Sequence, residues 1–210
     1  MITDLFQFQW KVDQDGYAIE TDAAGRDIIT PRGWRWRNYR PLELDGLWLQ
    51  FAETCRMPEG VRRFVDEFGT LRDVQDGVEY NQGVARKLWA IAQLLKDGNC
   101  QAAMDTFNDT RADSLAFPRL QANLVWSNGK PEMAIIPDML EDALRLQALQ
   151  AIEGNRRYKR CRNEGCSRWF GVGTRAPIGQ TYTKRRKFCS DRCRVAHARQ
   201  QKREAVANGQ

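Results

Sequence analysis

The sequence predicts an α+β fold: a mainly helical N-terminal domain with short β-hairpins, followed by a small module that is organised by four cysteines and ends in a basic helix. Three observations predict it. Apolar residues recur at helical spacing in several stretches before Gly154, and short alternating runs beside turn residues indicate hairpins. Four of the six cysteines lie in the last third of the chain. The excess of positive charge also begins there, which places a domain boundary near Gly154.

The composition is that of a folded protein. The 210 residues suffice for one domain of ordinary size and a small second one, and 42% of them are apolar, so a hydrophobic core can form. No apolar run approaches the roughly 20 residues that a membrane-spanning helix needs. Residues 1–5 lack a basic stretch followed by an apolar one. We therefore expect no signal peptide, no membrane partner and a cytoplasmic location.

The charge is divided sharply along the chain. Residues 155–210 hold 16 Lys and Arg against three acidic residues, a net charge of +13, whereas residues 1–154 hold 17 basic and 24 acidic residues, a net charge of −7. A segment this basic indicates a polyanionic partner. We predict an N-terminal domain over 1–154, a cysteine-containing module over 155–205 and a disordered tail over 206–210.

The first elements are expected to be strands. Between Leu5 and Ile29 apolar and polar residues alternate, and Asp15-Gly16 lies where a hairpin turn is expected. Residues 31–41 are rich in turn residues and alternate Arg with Trp. Such side chains either stack on nucleobases or pack as arginines over aromatic rings at the edge of a core.

Helices follow these strands. Apolar periodicity and capping residues predict helical segments over 42–55, 58–68, 79–96 and 101–107, and a further one that Pro137-Asp138 opens and Gly154 closes. Between the last two, an Asn-Gly pair at 128–129 predicts a hairpin over 120–136.

The spacing of the last four cysteines is typical of a metal site. Cys161-x4-Cys166 is followed by 22 residues and then by Cys189-x3-Cys193. Zinc prefers four soft or borderline ligands in a tetrahedron, and two cysteine pairs at short spacing supply them. Ser190 can cap a helix and so place Cys193 in its first turn. Four cysteines with no open coordination position predict a structural Zn²⁺ site.

Other interpretations of the cysteines stay open. The pairs can instead form disulfides or remain free thiols, and iron can replace zinc. His197, one turn beyond Cys193, is a candidate to replace one cysteine ligand. Cys55 and Cys100 stand alone, and we expect both to be small buried apolar residues in helices.

The metal is expected to organise the module. Residues 155–195 contain few apolar side chains, too few for a core of their own. A structural zinc ion supplies on the order of 10–16 kcal/mol of apparent folding free energy in small modules. We therefore expect the segment to be disordered without metal.

The positive charge of the module has a predicted surface. At about 100° per residue, Arg192, Arg199 and Arg203 share a face roughly 40° wide on the helix that follows Ser190, and Cys193 lies about 100° away. A basic stripe on a metal-anchored helix suits phosphate contacts. The alternative is a basic tail whose helix frays after Gln201. The residues predicted to contact nucleic acid are Lys184, Arg185, Arg186, Lys187, Arg192, Arg199 and Arg203.

Two stretches resemble bacterial CGNR-type zinc fingers: CRNEGCSRWF at 161–170 and RRKFCSDRCR at 185–194. The resemblance covers roughly 158–203, with a looser likeness over 39–69. It implies a C-terminal four-cysteine zinc-finger module behind a larger N-terminal domain that senses or binds something, in proteins proposed to regulate transcription. The family's Gly-Asn-Arg after the last cysteine is replaced here by Arg194-Val195-Ala196. The four ligands carry over, and the family's Asn and Arg do not.

We therefore predict a zinc-binding nucleic-acid-binding protein, a bacterial or phage transcription regulator that prefers DNA over RNA, with an unidentified ligand or protein partner at 1–154. The alternatives are an RNA-binding protein and a zinc-stabilised module that binds an acidic protein surface, including its own N-terminal domain. The oligomeric state is not predicted.

No enzyme is expected. The chain has one histidine and neither a phosphate-binding glycine loop nor an HExxH motif. The paired acids Asp66-Glu67 and Glu141-Asp142 are adjacent on predicted helices, so we expect them to be solvated surface groups.

Overall fold

The computed structural model describes residues 8–72, 76–109, 118–127, 130–154, 156–166, 168–172 and 186–207. It confirms the α+β fold class: helices and short antiparallel strands are followed by the cysteine cluster and a terminal helix. The domain boundaries at 154 and 205 and the tail stay predictions.

The helices follow the apolar periodicity closely. A short 3-10 turn, Pro41–Glu43, precedes α1, and each helix ends within two residues of its expected stop. Gly69, with a φ of +85°, follows α2, as expected for a helix stop. The helices are α1 (Leu47–Thr54), α2 (Pro58–Phe68), α3 (Val78–Lys96), α4 (Cys100–Asn108), α5 (Leu140–Glu153) and α6 (Asp191–Ala207).

The strands form four small antiparallel sheets in the described residues. The pairs are β1 (Trp10–Asp13) with β4 (Trp36–Tyr39), β6 (Leu120–Ser127) with β7 (Lys130–Pro137), and β8 (Arg157–Arg160) with β9 (Trp169–Val172). The remaining sheet has the order β2 (Tyr17–Thr21), β3 (Asp27–Pro31), β5 (Asp76–Gly77). The β6–β7 pairing confirms the hairpin predicted around residues 128–129, which themselves lie outside the described residues.

The hairpin predicted at Asp15-Gly16 is wrong. The chain does turn there, but β1 and β2 belong to different sheets. The cause is Asp13, which is only 1% exposed and whose carboxylate accepts hydrogen bonds from the backbone of Gly33 (2.7 Å) and Trp34 (3.0 Å). These bonds hold the end of β1 against the loop before β4, and β1 pairs with β4, with Asp13 opposite Trp36.

The Arg and Trp residues of 31–41 lie on the surface: the arginines and Trp34 are exposed, and Trp36 is half-buried. The ammonium group of Lys11 lies 5.1 Å from the centre of the Trp36 ring, and Arg35 forms an ion pair with Asp15. Trp34 is 65% exposed and has a φ of +57°, a conformation that residues other than glycine rarely adopt.

One buried cluster joins the helices with β1 to β3. The inner faces of α1, α2, α3 and α5 meet there, and the N-terminal strands close one side. Burial of this apolar surface supplies most of the driving force for folding. The largest fully buried side chains are Trp48, Phe51, Phe64, Phe107, Ile29, Leu71, Leu88, Ile91, Leu140 and Leu144.

The expectation for the paired acids is wrong at one of the two pairs. Asp66 and Glu67 are exposed, but Glu141 and Asp142 are each 4% exposed. Glu141 forms an ion pair with Arg145 and accepts a hydrogen bond from the Tyr80 hydroxyl (2.6 Å). Such partners replace the water that solvates an exposed carboxylate, and they offset the free-energy cost of burying its charge.

Among the described residues, no helix combines the length and the apolar composition needed to cross a bilayer.

Candidate metal centre

The first cysteine pair lies on the connection between β8 and β9. Cys161 directly follows β8, and its N–H donates to the carbonyl of Arg168 (3.0 Å), just before β9. The N–H of Cys166 donates to the carbonyl of Asn163 (2.8 Å), which closes a tight turn. The hairpin therefore holds both thiols at one end of its two strands.

The second pair begins at the start of α6. The Ser190 hydroxyl accepts a hydrogen bond from the N–H of Cys193 (3.3 Å), which confirms the predicted helix cap. A backbone bond from Arg162 N–H to the carbonyl of Lys187 (3.1 Å) joins the two cysteine loops. The sequence places the thiols at short spacing, and this bond brings the pairs together.

The four cysteines form one cluster that can hold a metal ion. Their Sγ atoms all lie within 4.8 Å of one another. The Sγ of Cys189 lies 3.6 Å from that of Cys166 and 3.5 Å from that of Cys193. Four sulfurs around a tetrahedral ion, each about 2.3 Å from it, are separated by about 3.8 Å. The donor set and its spacing thus fit a tetrahedral thiolate-bound metal.

The surroundings of the sulfurs shift their protonation in opposite directions. A hydrogen bond from the Ser190 hydroxyl lowers the pKa of Cys193 to about 7. Burial raises the pKa of Cys166 and that of Cys189. Without a metal the cluster therefore retains protons at neutral pH, and a metal ion that binds must displace them.

His197 is not part of this ligand group. Its ring lies 5.2 Å from that of Phe188, and its Nδ1 is buried without a hydrogen-bond partner among the described residues. The four sulfurs already complete a tetrahedron. The alternative in which His197 replaces a cysteine is therefore not favoured by the geometry.

Residues of α1 and the turn before it support the β8–β9 hairpin through contacts that the sequence pattern did not indicate. The Trp169 indole N–H donates to the Glu53 carboxylate (3.0 Å), and the Gly171 N–H donates to the Asp45 carboxylate (2.7 Å). Burial raises the pKa of Asp45. The backbone of Gly46 lies directly against that of Trp169. No sequence signal identifies these contacts, because each joins residues more than 100 positions apart.

The basic residues predicted to contact nucleic acid divide into three groups. Lys184 and Arg185 lie outside the described residues. Arg186 is half-buried, and its guanidinium donates to the carbonyls of Phe188 (2.8 Å) and Cys189. Arg186 thus braces the second cysteine loop. Lys187 and the three helix arginines Arg192, Arg199 and Arg203 are exposed.

Helix α6 faces the two cysteine loops along one narrow stripe of its surface. Between residues 191 and 205 its side chains are exposed except for Cys193, His197 and Gln200, which are half-buried. Gln200 donates to the Glu164 carboxylate of the first cysteine loop (3.1 Å). The face with Arg192, Arg199 and Arg203 lies about 100° round the helix from this stripe. The arginines therefore point into solvent while the cysteine points to the other sulfurs.

The comparisons with known proteins give no relative from which a function can be carried over. No protein-family model matches the chain, and no curated protein matches it. The site itself therefore supports the functional proposal below.

Proposed function

We propose that this protein binds nucleic acid, with DNA preferred over RNA, through a helix that a structural zinc ion anchors, and that it regulates transcription. The observation that carries the proposal is the exposed face of α6 with Arg192, Arg199 and Arg203. This face begins at the cysteine cluster, so the metal fixes its position. Guanidinium groups at fixed positions suit phosphate oxygens, which dominate affinity for nucleic acid.

Zinc is the metal that the donor set favours. Four thiolates around a tetrahedral centre are typical of structural zinc, and no coordination position remains open for a substrate. In a reducing compartment thiols do not form disulfides, and clustered cysteines there bind metal instead. The proposal therefore places the protein in the cytoplasm. The proposed role is accordingly binding and not catalysis.

The charge of the module exceeds what the metal site requires. Zinc with four thiolates carries a formal charge of −2, which accounts for two or three neighbouring cations, whereas residues 155–210 carry +13. Helix α6 alone holds five basic and two acidic residues. The excess supports a polyanionic partner. Lys187, just before the second cysteine pair, is also exposed and adds to this charge.

The resemblance of 161–170 and 185–194 to CGNR-type zinc fingers supports the same function. That likeness also supports a bacterial or phage origin and a ligand or partner for the N-terminal domain.

The proposal is tested by a salt series. Purified full-length protein is titrated with duplex DNA, single-stranded DNA and structured RNA, and the slope of log affinity against log salt is measured. Replacement of Arg192, Arg199 and Arg203 by Gln should reduce the slope on duplex DNA by about 0.9 for each lost phosphate contact, about 2.7 in total. The tightest binding should be to duplex DNA; tighter binding to RNA would reassign the partner.

A matched control separates local contact from net charge. Arg62 and Arg63 on α2 and Arg86 on α3 are also exposed. Their triple replacement by Gln removes the same charge and should leave the slope nearly unchanged. Equal loss in both triple variants would mean that no specific face of α6 contacts the phosphates.

A second candidate function is supported by the contacts of the hairpin with the N-terminal domain. Glu53 and Asp45 of that acidic domain bind Trp169 and Gly171 of β9. In this alternative the zinc stabilises a module that serves protein contacts alone. Zinc-loaded protein that binds none of the three nucleic acids at physiological salt would favour it over the first candidate.

A further inference from the structure

A cavity of about 490 Å³ lies between α1, α3 and the start of β8. Aromatic side chains from several elements line it: Trp48 from α1, Trp89 from α3, Tyr158 from β8 and Trp169 from β9. Its volume is within the range of pockets for small molecules. Aromatic walls of this kind favour a flat, apolar ring system.

The cavity also has a basic rim. Lys96, Arg156 and Arg157 line it, and none of its described lining residues is acidic. Lys96 and Arg157 are exposed, and neither has an ion-pair partner among the residues that the structure describes. Arg156 is close enough to Asp45 to interact with its charge. Two cations of the rim are thus left to attract an anion.

Two of the aromatic walls lie against each other. The Trp48 and Tyr158 rings meet edge to face, with 5.9 Å between their centres. Trp48 is only 1% exposed, whereas Tyr158 and Trp89 are half-buried. A ligand ring in the cavity therefore meets mainly Trp89 and Tyr158.

From the aromatic walls and the basic rim we propose that the cavity binds a planar aromatic anion, such as an aromatic carboxylate. The ring lies against Trp89 and Tyr158, and its anionic group faces Lys96 and Arg157. Stacking of the rings stabilises the complex, and attraction to Lys96 and Arg157 favours an anionic ligand over a neutral or cationic one. This proposal does not depend on nucleic-acid binding.

The position of the cavity connects such a ligand to the metal centre. Arg157 and Tyr158 belong to β8, and Cys161 is the residue that directly follows β8. Trp169 is part of both the cavity and the contact with Glu53. A bound ring therefore contacts the two strands that hold the first cysteine pair.

The test uses three probes of one shape: 2-naphthoate, neutral 2-naphthalenemethanol and cationic 2-naphthylmethylammonium. Each is titrated calorimetrically into the full-length protein. We expect naphthoate to bind most tightly and the cation most weakly. Amide chemical shifts should move at 95–98 and 156–158.

The variants locate the selectivity. Joint replacement of Lys96 and Arg157 by Gln should weaken naphthoate roughly tenfold and leave the neutral probe unchanged. Both side chains are exposed, so the fold is preserved. Arg86→Gln, on the same helix but away from the cavity, is the control and should change neither affinity. Equal affinities for the three probes, no binding of naphthoate at millimolar concentration, or an equal effect of the control would overturn the proposal.

Discussion

Gly46 tests whether the β8–β9 hairpin is seated on α1 as described. Gly46 is the N-cap residue of α1, with a φ of +82°. A Cβ atom at this position would lie 2.9 Å from the backbone oxygen of Trp169 and 3.0 Å from its carbonyl carbon. Neither atom belongs to a flexible side chain, so Gly46→Ala requires the backbone of α1 or β9 to move.

The expected cost has two parts. A residue with a Cβ in the left-handed conformation costs about 1–2 kcal/mol relative to glycine. Overpacking against backbone adds about 1–3 kcal/mol. Together we expect a loss of about 3 kcal/mol in the free energy of unfolding, or about 10 °C in Tm for a chain of this length.

The assay is denaturant unfolding of the metal-loaded protein, with Gly25→Ala as the matched control. Gly25 has a φ of +76°, but a Cβ there would meet no described atom within 4 Å. This control should therefore lose only the conformational part, about 1–2 kcal/mol. Equal losses in the two variants would show that Gly46 does not lie against Trp169, and the described contact between α1 and β9 would be refuted.

Three further predictions concern titration, thiol reactivity and metal removal. Burial raises the pKa of Asp76 to about 6. The folded state therefore holds this proton more tightly than the unfolded state. The protonated Asp76 contributes about 3 kcal/mol to the free energy of unfolding below pH 4, and this contribution is lost as the pH rises through 6. Urea unfolding of wild type and Asp76→Asn between pH 4 and 8 should show the loss in the wild type alone. Cys55 is fully buried and burial raises its pKa, so iodoacetamide should label the half-buried Cys100 of native protein and spare Cys55 until the chain unfolds. Cys166→Ser or chelation should remove the hydrogen-exchange protection of 156–172 and leave that of α3 in place.

Each of these has a contrary outcome. A pH profile that is parallel in wild type and Asp76→Asn would show that the carboxyl is ionised throughout. Labelling of Cys55 in native protein at the rate of Cys100 would contradict the packing of α1. Protection of 156–172 that survives metal removal would mean that the hairpin folds without its ion.

The helices were predictable from sequence because each buries one apolar stripe. Val84, Leu88, Ile91 and Ala92 repeat at helical spacing, and the structure buries them on one face of α3. The pairing of β1 was not predictable, since it depends on the Asp13 carboxylate and on amides 20 residues away. Similarly, burial of Glu141 depends on Tyr80, whose hydroxyl comes from another helix.

The candidate site divides in the same way. Local spacing identified the four cysteines and the Ser190 cap, because both ligand pairs and caps obey short-range geometry. The carboxylates of Asp45 and Glu53 could not be found, since they meet β9 only after the two parts of the chain pack together. Arg186 illustrates a third case, because its sequence neighbours indicate a surface cation and its observed hydrogen bonds hold a loop.

Helix α6 is attached to the cysteine loops through its N-terminal part, so a small rotation there moves its far end by a larger distance. Its last side-chain bond to the cysteine loops is at Gln200, and the described side chains beyond that residue lie in solvent. Arg203 is ten residues beyond Cys193, about 15 Å along the axis at the rise of an α-helix. A tilt of about 10° at the sulfurs therefore displaces the far arginine by about 3 Å, roughly the length of one hydrogen bond. A rearrangement small enough to keep the four sulfurs in place would therefore decide whether Arg203 reaches a phosphate oxygen of the proposed partner.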